Sequence, residues 1–312
     1  DYIYNYDRLR YRGDYTYENY FSTLIFDGVN FLGNQYINSS SFALFKQQKS
    51  NTPFSTQTSY SNYENGTFYA KLYRSYIGYE DDKNRVILGL QNITMGVGRI
   101  WTPTNLFNPK NVYALEPDEV FGVAALSYTK HLNETSHVTV VTSEEKNHKL
   151  KYALRYKSYL DIADVALNYI NSKEKTMIGY ELEGNLKDTG IEIRSEGAYI
   201  QEKHNEYFEA IFGADYGFED GMTLVTEALY NSDSHFYLGV TLNYSFNLII
   251  NGSLIFIESF DDKHSRYISP TITYTLNDFN SFTLGAMIYN GPNDSEFGEL
   301  SNTYYFRYSF DF

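Results

Sequence analysis

Cysteine is absent from the 312 residues, proline occurs six times and tryptophan once. Without cysteine there is no disulfide framework and no thiolate metal site, and a chain crossing an oxidising compartment cannot mispair. No apolar run approaches the roughly 18 residues that a membrane helix needs, so helical insertion is excluded and insertion by strands is not. Positive charge is scarce as well. The 25 Lys and Arg stand against 39 Asp and Glu for a net charge of -14, so the basic stripes that hold phosphate are missing and nucleic acid is excluded as a partner. The carboxylates read as solvated loops and lumen, with no spacing that forms a calcium loop. Six histidines, His131, His137, His148, His204, His235 and His264, lie mostly at expected strand ends or turns, beside no nucleophile motif, metal-ligand spacing or phosphate-cradling glycine loop. An enzyme is therefore not expected, and no cofactor either. The chain opens without a basic start or an apolar stretch, from which a secretory signal is expected to have been removed.

What is abundant is aromatic. Tyr 33 and Phe 22 bring the aromatic share to 18% at a mean hydropathy of -0.45. A chain that is polar on average yet rich in large amphipathic rings suits a membrane barrel, because half of every strand is wet. The last residues show the pattern openly: Tyr304, Phe306, Tyr308, Phe310 and Phe312 share one face, while Tyr305, Arg307, Ser309 and Asp311 share the other. This strand resembles the C-terminal strand of Gram-negative outer-membrane proteins, whose final aromatic is read by the barrel-assembly machinery. The resemblance implies that Phe312 is an assembly signal, and that lipid, lipopolysaccharide and that machinery are partners.

The same alternation recurs along the chain. Phe236, Leu238, Val240, Leu242, Tyr244 and Phe246 oppose Tyr237, Gly239, Thr241, Asn243, Ser245 and Asn247, and turn chemistry such as Glu219-Asp220-Gly221 and Lys187-Asp188-Thr189-Gly190 separates such units. Candidate strands cover 4–16, 19–27, 67–80, 84–95, 120–132, 136–145, 149–160, 162–172, 175–187, 190–202, 206–218, 222–231, 235–247, 249–260, 266–276, 281–290 and 302–312. Seventeen is odd, and a single-chain bacterial barrel has an even number, so a strand near the N-terminus is missing or divided differently, or 35–46 adds one. The expected fold is all-β: one transmembrane antiparallel up-and-down barrel domain over 1–312, with about 16 strands and 14 or 18 as alternatives.

Two long connections break the spacing, one near 28–66, rich in Asn, Ser, Gln and Thr, and one near 96–120 with the sole Trp and three of the six Pro. Both fall on the outer side when sides are counted back from the C-terminus. The second, from Gly96-Val97-Gly98-Arg99-Ile100-Trp101 to Phe107-Asn108-Pro109, resembles a segment that follows an early strand in several families of outer-membrane porin-like proteins. It is expected to fold into the lumen and narrow it.

The interior charges then suggest a filter. Arg8, Arg10 and Arg12 alternate with Leu9 and Tyr11, and barrel closure sets them beside Arg307. Glu181, Glu183, Glu192, Glu196 and Glu209, with Arg194 among them, lie about halfway round the ring. Arg99 is expected to join the basic side of a constriction and to face Glu183 and Glu192. A basic wall opposite an acidic one makes a transverse field that orients small charged solutes. The expected protein is a Gram-negative outer-membrane channel for passive diffusion of small hydrophilic or charged solutes, with homo-oligomerisation left open. The alternative is a barrel that sheathes a partner lipoprotein or an electron-transfer protein.

Overall fold

A computed structural model describes residues 2–233, 235–261 and 263–312. Its strands are β1 Asn5–Tyr17, β2 Tyr20–Leu32, β3 Ser61–Tyr63, β4 Gly66–Glu80, β5 Asn84–Gln91, β6 Val123–His131, β7 Ser136–Glu145, β8 Lys149–Tyr159 and β9 Ala163–Ser172. The series continues with β10 Lys175–Leu186, β11 Ile191–Glu202, β12 Glu206–Gly217, β13 Met222–Asn231, β14 His235–Ser245, β15 Ile250–Ser259, β16 Ser265–Asn277, β17 Asn280–Asn290 and β18 Thr303–Phe310. They form one sheet of eighteen strands, the upper of the expected counts. The eighteenth member is the three-residue β3, which pairs with the first residues of β4, where β5 does not reach. Residues 35–46, weighed above as a strand, instead carry two helices, α1 Asn34–Ile37 and α2 Ser40–Gln47. Ser39 caps α2 by accepting the Phe42 amide at 3.1 Å, and Phe42 and Phe45 bury one face against Phe31.

Every full-length strand pairs antiparallel with its neighbour in the chain, as β10 does with β9 and β11. Short turns gather at one end and the long connections at the other. Asp161 and Asp188 take the left-handed backbone in two of those turns, a conformation that Asp tolerates and β-branched residues do not. β2 runs on to Leu32 rather than ending near 27, because Val29 and Phe31 keep pairing with Tyr69 and Thr67 of β4 and are buried. The long connections accordingly shrink to 33–60 and lengthen to 92–122.

The sheet wraps around the second connection, whose side chains and backbone touch inward residues of β1, β10, β11, β13 and β18. Since seventeen full-length strands alternate, β1 and β18 run in the same direction. Among the described residues no ladder joins these two edges; Glu116 of the loop links them, 2.9 Å from Arg8 and 3.7 Å from Arg307.

The outer face of the ring is apolar and its inner face polar. On β14, the Cβ direction at Gly239 points at Ile100 and Trp101 of the enclosed loop, so Leu238, Val240 and Leu242 face outward; Leu254 sits opposite Leu242 on the same side. Outward Tyr and Phe, such as Phe236 near one end of β14 and Tyr244 near the other, place rings toward both rims. Val240 lies mid-strand, so Val240→Arg should destabilise the folded barrel in bilayers by about 2–4 kcal/mol. Urea unfolding followed by heat-modifiable migration measures it, and a change under about 0.5 kcal/mol would show that this face does not meet lipid.

Candidate lumen filter

The loop of residues 92–122 is held by carboxylates from the wall. Six consecutive backbone N–H groups donate to three glutamates. Gly96 donates to Glu181 at 2.9 Å, Val97 and Gly98 donate to Glu196 at 2.8 and 3.1 Å, and Arg99, Ile100 and Trp101 donate to Glu227 at 2.5, 2.7 and 3.1 Å. Glu196 also accepts the amide and hydroxyl of Thr104 at 2.6 and 2.7 Å. All three carboxylates are buried, which is tolerable because Glu181 and Glu227 are hydrogen-bonded and countered by arginines, and Glu196 accepts four hydrogen bonds from the loop. Arg155 and Asn168 bond Glu181, and Arg194 pairs with Asp215 and lies 3.4 Å from Glu227.

Two glycines let the chain pass so close. Gly96 has φ +93°, and a Cβ there would sit 2.6 Å from the Glu196 carboxylate; at Gly98 it would sit 1.7 Å from the Trp101 carbonyl oxygen. Beyond this segment the loop packs by apolar burial on both sides. Ile93, Met95 and Phe107 join Val141, Ile170, Met177 and Ile200 of the wall. Ile100 and Val112 join Ile257, Tyr267, Met287 and Phe297 opposite.

These charges share the inward phase, and four of them take other places than expected. Glu181 and Arg194 do point inward, but at 1% and 0% exposure they anchor the loop instead of lining water. Arg99 sits on the acidic side rather than facing it, 2.9 Å from Glu183, 2.7 Å from Glu192 and 3.4 Å from Asp215. Its own amide is fixed by Glu227, so its side chain reaches those acids and no others. Arg12 lies two residues nearer the short turns than Arg10, exposed and paired with Asp14, and makes no ion pair with the loop among the described residues.

Arg8, Arg10 and Arg307 do stand together on the other wall. Arg8 meets Glu116 through two bonds of 2.9 Å. Arg10 donates to Asp27 at 2.7 and 2.8 Å and to Glu119 at 2.8 Å twice. Arg307 donates to the Leu115 carbonyl at 3.2 Å. Two cations of β4 that the sequence reading passed over complete this wall. Lys71 lies 4.8 Å from the Phe121 ring, and Arg74 donates to the Val120 carbonyl at 3.0 Å. Neither has a carboxylate within ion-pair distance among the described residues. Five cations thus meet three acids on one side, while on the other Glu181, Glu183, Glu192, Glu196, Asp215 and Glu227 outnumber Arg99, Arg155 and Arg194.

Open space remains on either side of the loop. A cavity of about 430 Å³ at the long-loop end is lined by Trp101, Pro103, Leu106, Lys110, Lys151 and Glu209 among others. One of about 440 Å³ at the short-turn end is lined by Asp161, Asp164, Glu183, Glu192 and Lys187. Glu183 and Glu192 of that second cavity are the acids that Arg99 holds, so the Arg99 side chain stands at its edge.

No protein-family model and no curated protein matches the sequence. Solved structures do match in fold. Pseudomonas aeruginosa OccD3 (OpdP) superimposes with a TM-score of 0.62 at 8% identity, over 98% of this chain and 86% of that one. Acinetobacter baumannii OccAB1 gives 0.63 at 9% identity, over 98% and 89%. The outer membrane protein OpdK of Pseudomonas aeruginosa gives 0.58 at 7%, over 93% and 89%, and OpdK has also been solved with vanillate.

Proposed function

We propose that the chain is one barrel domain of a Gram-negative outer membrane that passes small hydrophilic or charged solutes by passive diffusion, filtered by size and lumen charge. The observation that carries this reading is the inward loop: it is fixed by three buried carboxylates at mid-lumen, between a wall with excess cations and a wall with excess acids, with open cavities on either side of it. Fixed charge acts strongly there because the space is confined and partly desolvated. A fold shared with an outer membrane protein, one that has been solved with a small molecule, supports the same reading. Arg8, Arg10, Arg307, Glu183, Glu192 and Arg99 are the filter residues. The sheath reading needs a lumen wide enough for a partner protein, and residues 92–122 cross that space, packing on both walls.

Purified protein in a planar bilayer should show discrete current steps; the absence of any open-channel current across several preparations overturns the channel reading. Lipid, lipopolysaccharide and the barrel-assembly machinery are the proposed partners in the cell. Phe312 is exposed, and its ring stacks on Phe310 at 5.9 Å on the outward face. Phe312→Asp should cut folded barrel in membranes severalfold while Ser61→Asp, on exposed β3, leaves it near wild type. Equal yields of the two variants would remove the assembly role.

A further inference from the structure

Tyr6, Arg8 and Arg10 share the inner face of β1, and Tyr2 and Tyr4, just before the strand, reach the same side through their ring contacts with Tyr36 and, for Tyr4, Phe31. The three rings form a strip leading from the mouth to the first arginine. Tyr36 of α1 lies face to face on Tyr4, with centroids 3.8 Å apart and planes 11° from parallel, and Tyr2 meets Tyr36 edge-on at 6.0 Å. Behind the strip, Tyr6 contacts Phe31 at 5.1 Å, and Phe31 belongs to a buried cluster with Val29, Phe42 and Tyr69. The base is therefore fixed. The front is open, with Tyr2 48% and Tyr4 38% exposed. Rings left open on the lipid side of a barrel have lipid to cover them. These rings face the aqueous mouth and have no such cover.

The surrounding segment has an unusual composition for this chain. Of residues 33–63, eighteen of thirty-one are Asn, Gln, Ser or Thr, two are Lys and none is acidic, against a net charge of -14 overall. Lys46 is engaged over the Phe42 and Tyr60 rings. Nothing in the segment counters a cation, and little is free to hold an anion. Neutral amides and hydroxyls beside open aromatic faces match one solute chemistry well: a sugar, whose C–H face packs on a ring while its hydroxyls exchange hydrogen bonds with planar amides.

We propose that the mouth binds neutral saccharides, stacked on Tyr2, Tyr4 and Tyr36, with polar side chains of residues 33–63, Gln35 beside Tyr36 among them, meeting the sugar hydroxyls. This deepens the channel reading by naming a solute class that the strip would pass toward the filter, and it can fail separately. Saturation-transfer NMR on the full chain folded in detergent, titrated with maltotriose, should give millimolar binding. That binding should weaken about fivefold or more in Tyr4→Leu and Tyr36→Leu. Tyr4→Phe, which keeps the ring, and Tyr152→Leu, a lipid-facing control on β8, should bind as wild type. Heat-modifiable migration certifies that each variant is folded. No maltotriose signal, or equal binding by folded Tyr4→Leu and Tyr36→Leu, overturns the proposal. So does benzoate binding at these tyrosines more tightly than maltotriose, which would make the strip a site for planar anions. Current steps without sugar binding sink this inference alone; sugar binding without current sinks the channel reading alone.

Discussion

Glu196→Gln combined with Glu227→Gln should free residues 96–104 from the wall, raising single-channel conductance and turning steady openings into flickering ones. Glu196 accepts four hydrogen bonds from the loop and Glu227 accepts three. Both oxygens of each carboxylate are used as acceptors, so glutamine cannot substitute: its amide nitrogen would meet a backbone N–H donor with another donor. Hydrogen bonds to a charged group contribute about 1.5–3 kcal/mol each, and a buried amide left unpaired costs about 1–3 kcal/mol. Losing even two or three therefore exceeds what the local loop packing around Thr104 can restore. Barrel strands and the outer apolar band are untouched, so folded yield should change less than conductance. Glu202→Gln, at the end of β11 where the acid pairs with Lys175 at 2.6 Å, is the control and should leave the current unchanged. Unchanged conductance in the folded double variant would show that apolar packing of Phe107, Ile100 and Val112 holds the loop without the carboxylates.

The strands were legible because a two-residue period with turn residues between units is a local signal, and the segments 136–145 and 222–231 match β7 and β13 at both ends. α2 was less so. Its Phe42 and Leu44 fit the two-residue period while Phe42 and Phe45 fit the helical one, and packing of Phe42 and Phe45 on Phe31 decides for the helix. Charge phase was legible too: Arg8, Arg10, Glu181, Glu183, Glu192, Arg194 and Arg307 all point inward. What the sequence could not say is which of them meet water. Glu181 and Arg194 are sealed because the backbone of Gly96 to Trp101 descends onto Glu181, Glu196 and Glu227 around them, contacts between residues 85 to 128 positions apart. Glu227, Asp215 and Asp27 share the same inward phase and could have been found by extending the alternation through β2, β12 and β13. Lys71 and Arg74 were hidden for another reason. The register slips between Ile25 and Phe26 where Tyr73 is inserted in β4, and a bulge of this kind reverses which residues share a face.

That wall sets the remaining expectation. Arg8→Gln with Arg10→Gln should move the reversal potential toward cation selectivity at low salt. The two arginines are held by Glu116, Glu119 and Asp27, so neutralising them does more than subtract two charges. It leaves three carboxylates facing the path with Lys71, Arg74 and Arg307 as the remaining cations, none of which pairs with Asp27 or Glu119 among the described residues. The local balance passes from an excess of positive charge to none, beside a wall that is already acidic. Screening then fixes the salt dependence: fixed charge reaches about 30 Å at 0.01 M and roughly 3 Å at 1 M, so the shift should be large in dilute salt and small in concentrated salt. Arg12→Gln separates position from charge. It removes the same kind of charge from the same face of β1, but two residues nearer the short turns, where the guanidinium is 64% exposed and paired with Asp14 rather than with the loop, and it should shift the potential little. A double variant with wild-type selectivity at low salt would place the selective step elsewhere, at the short-turn cavity where Arg99 stands between Glu183 and Glu192.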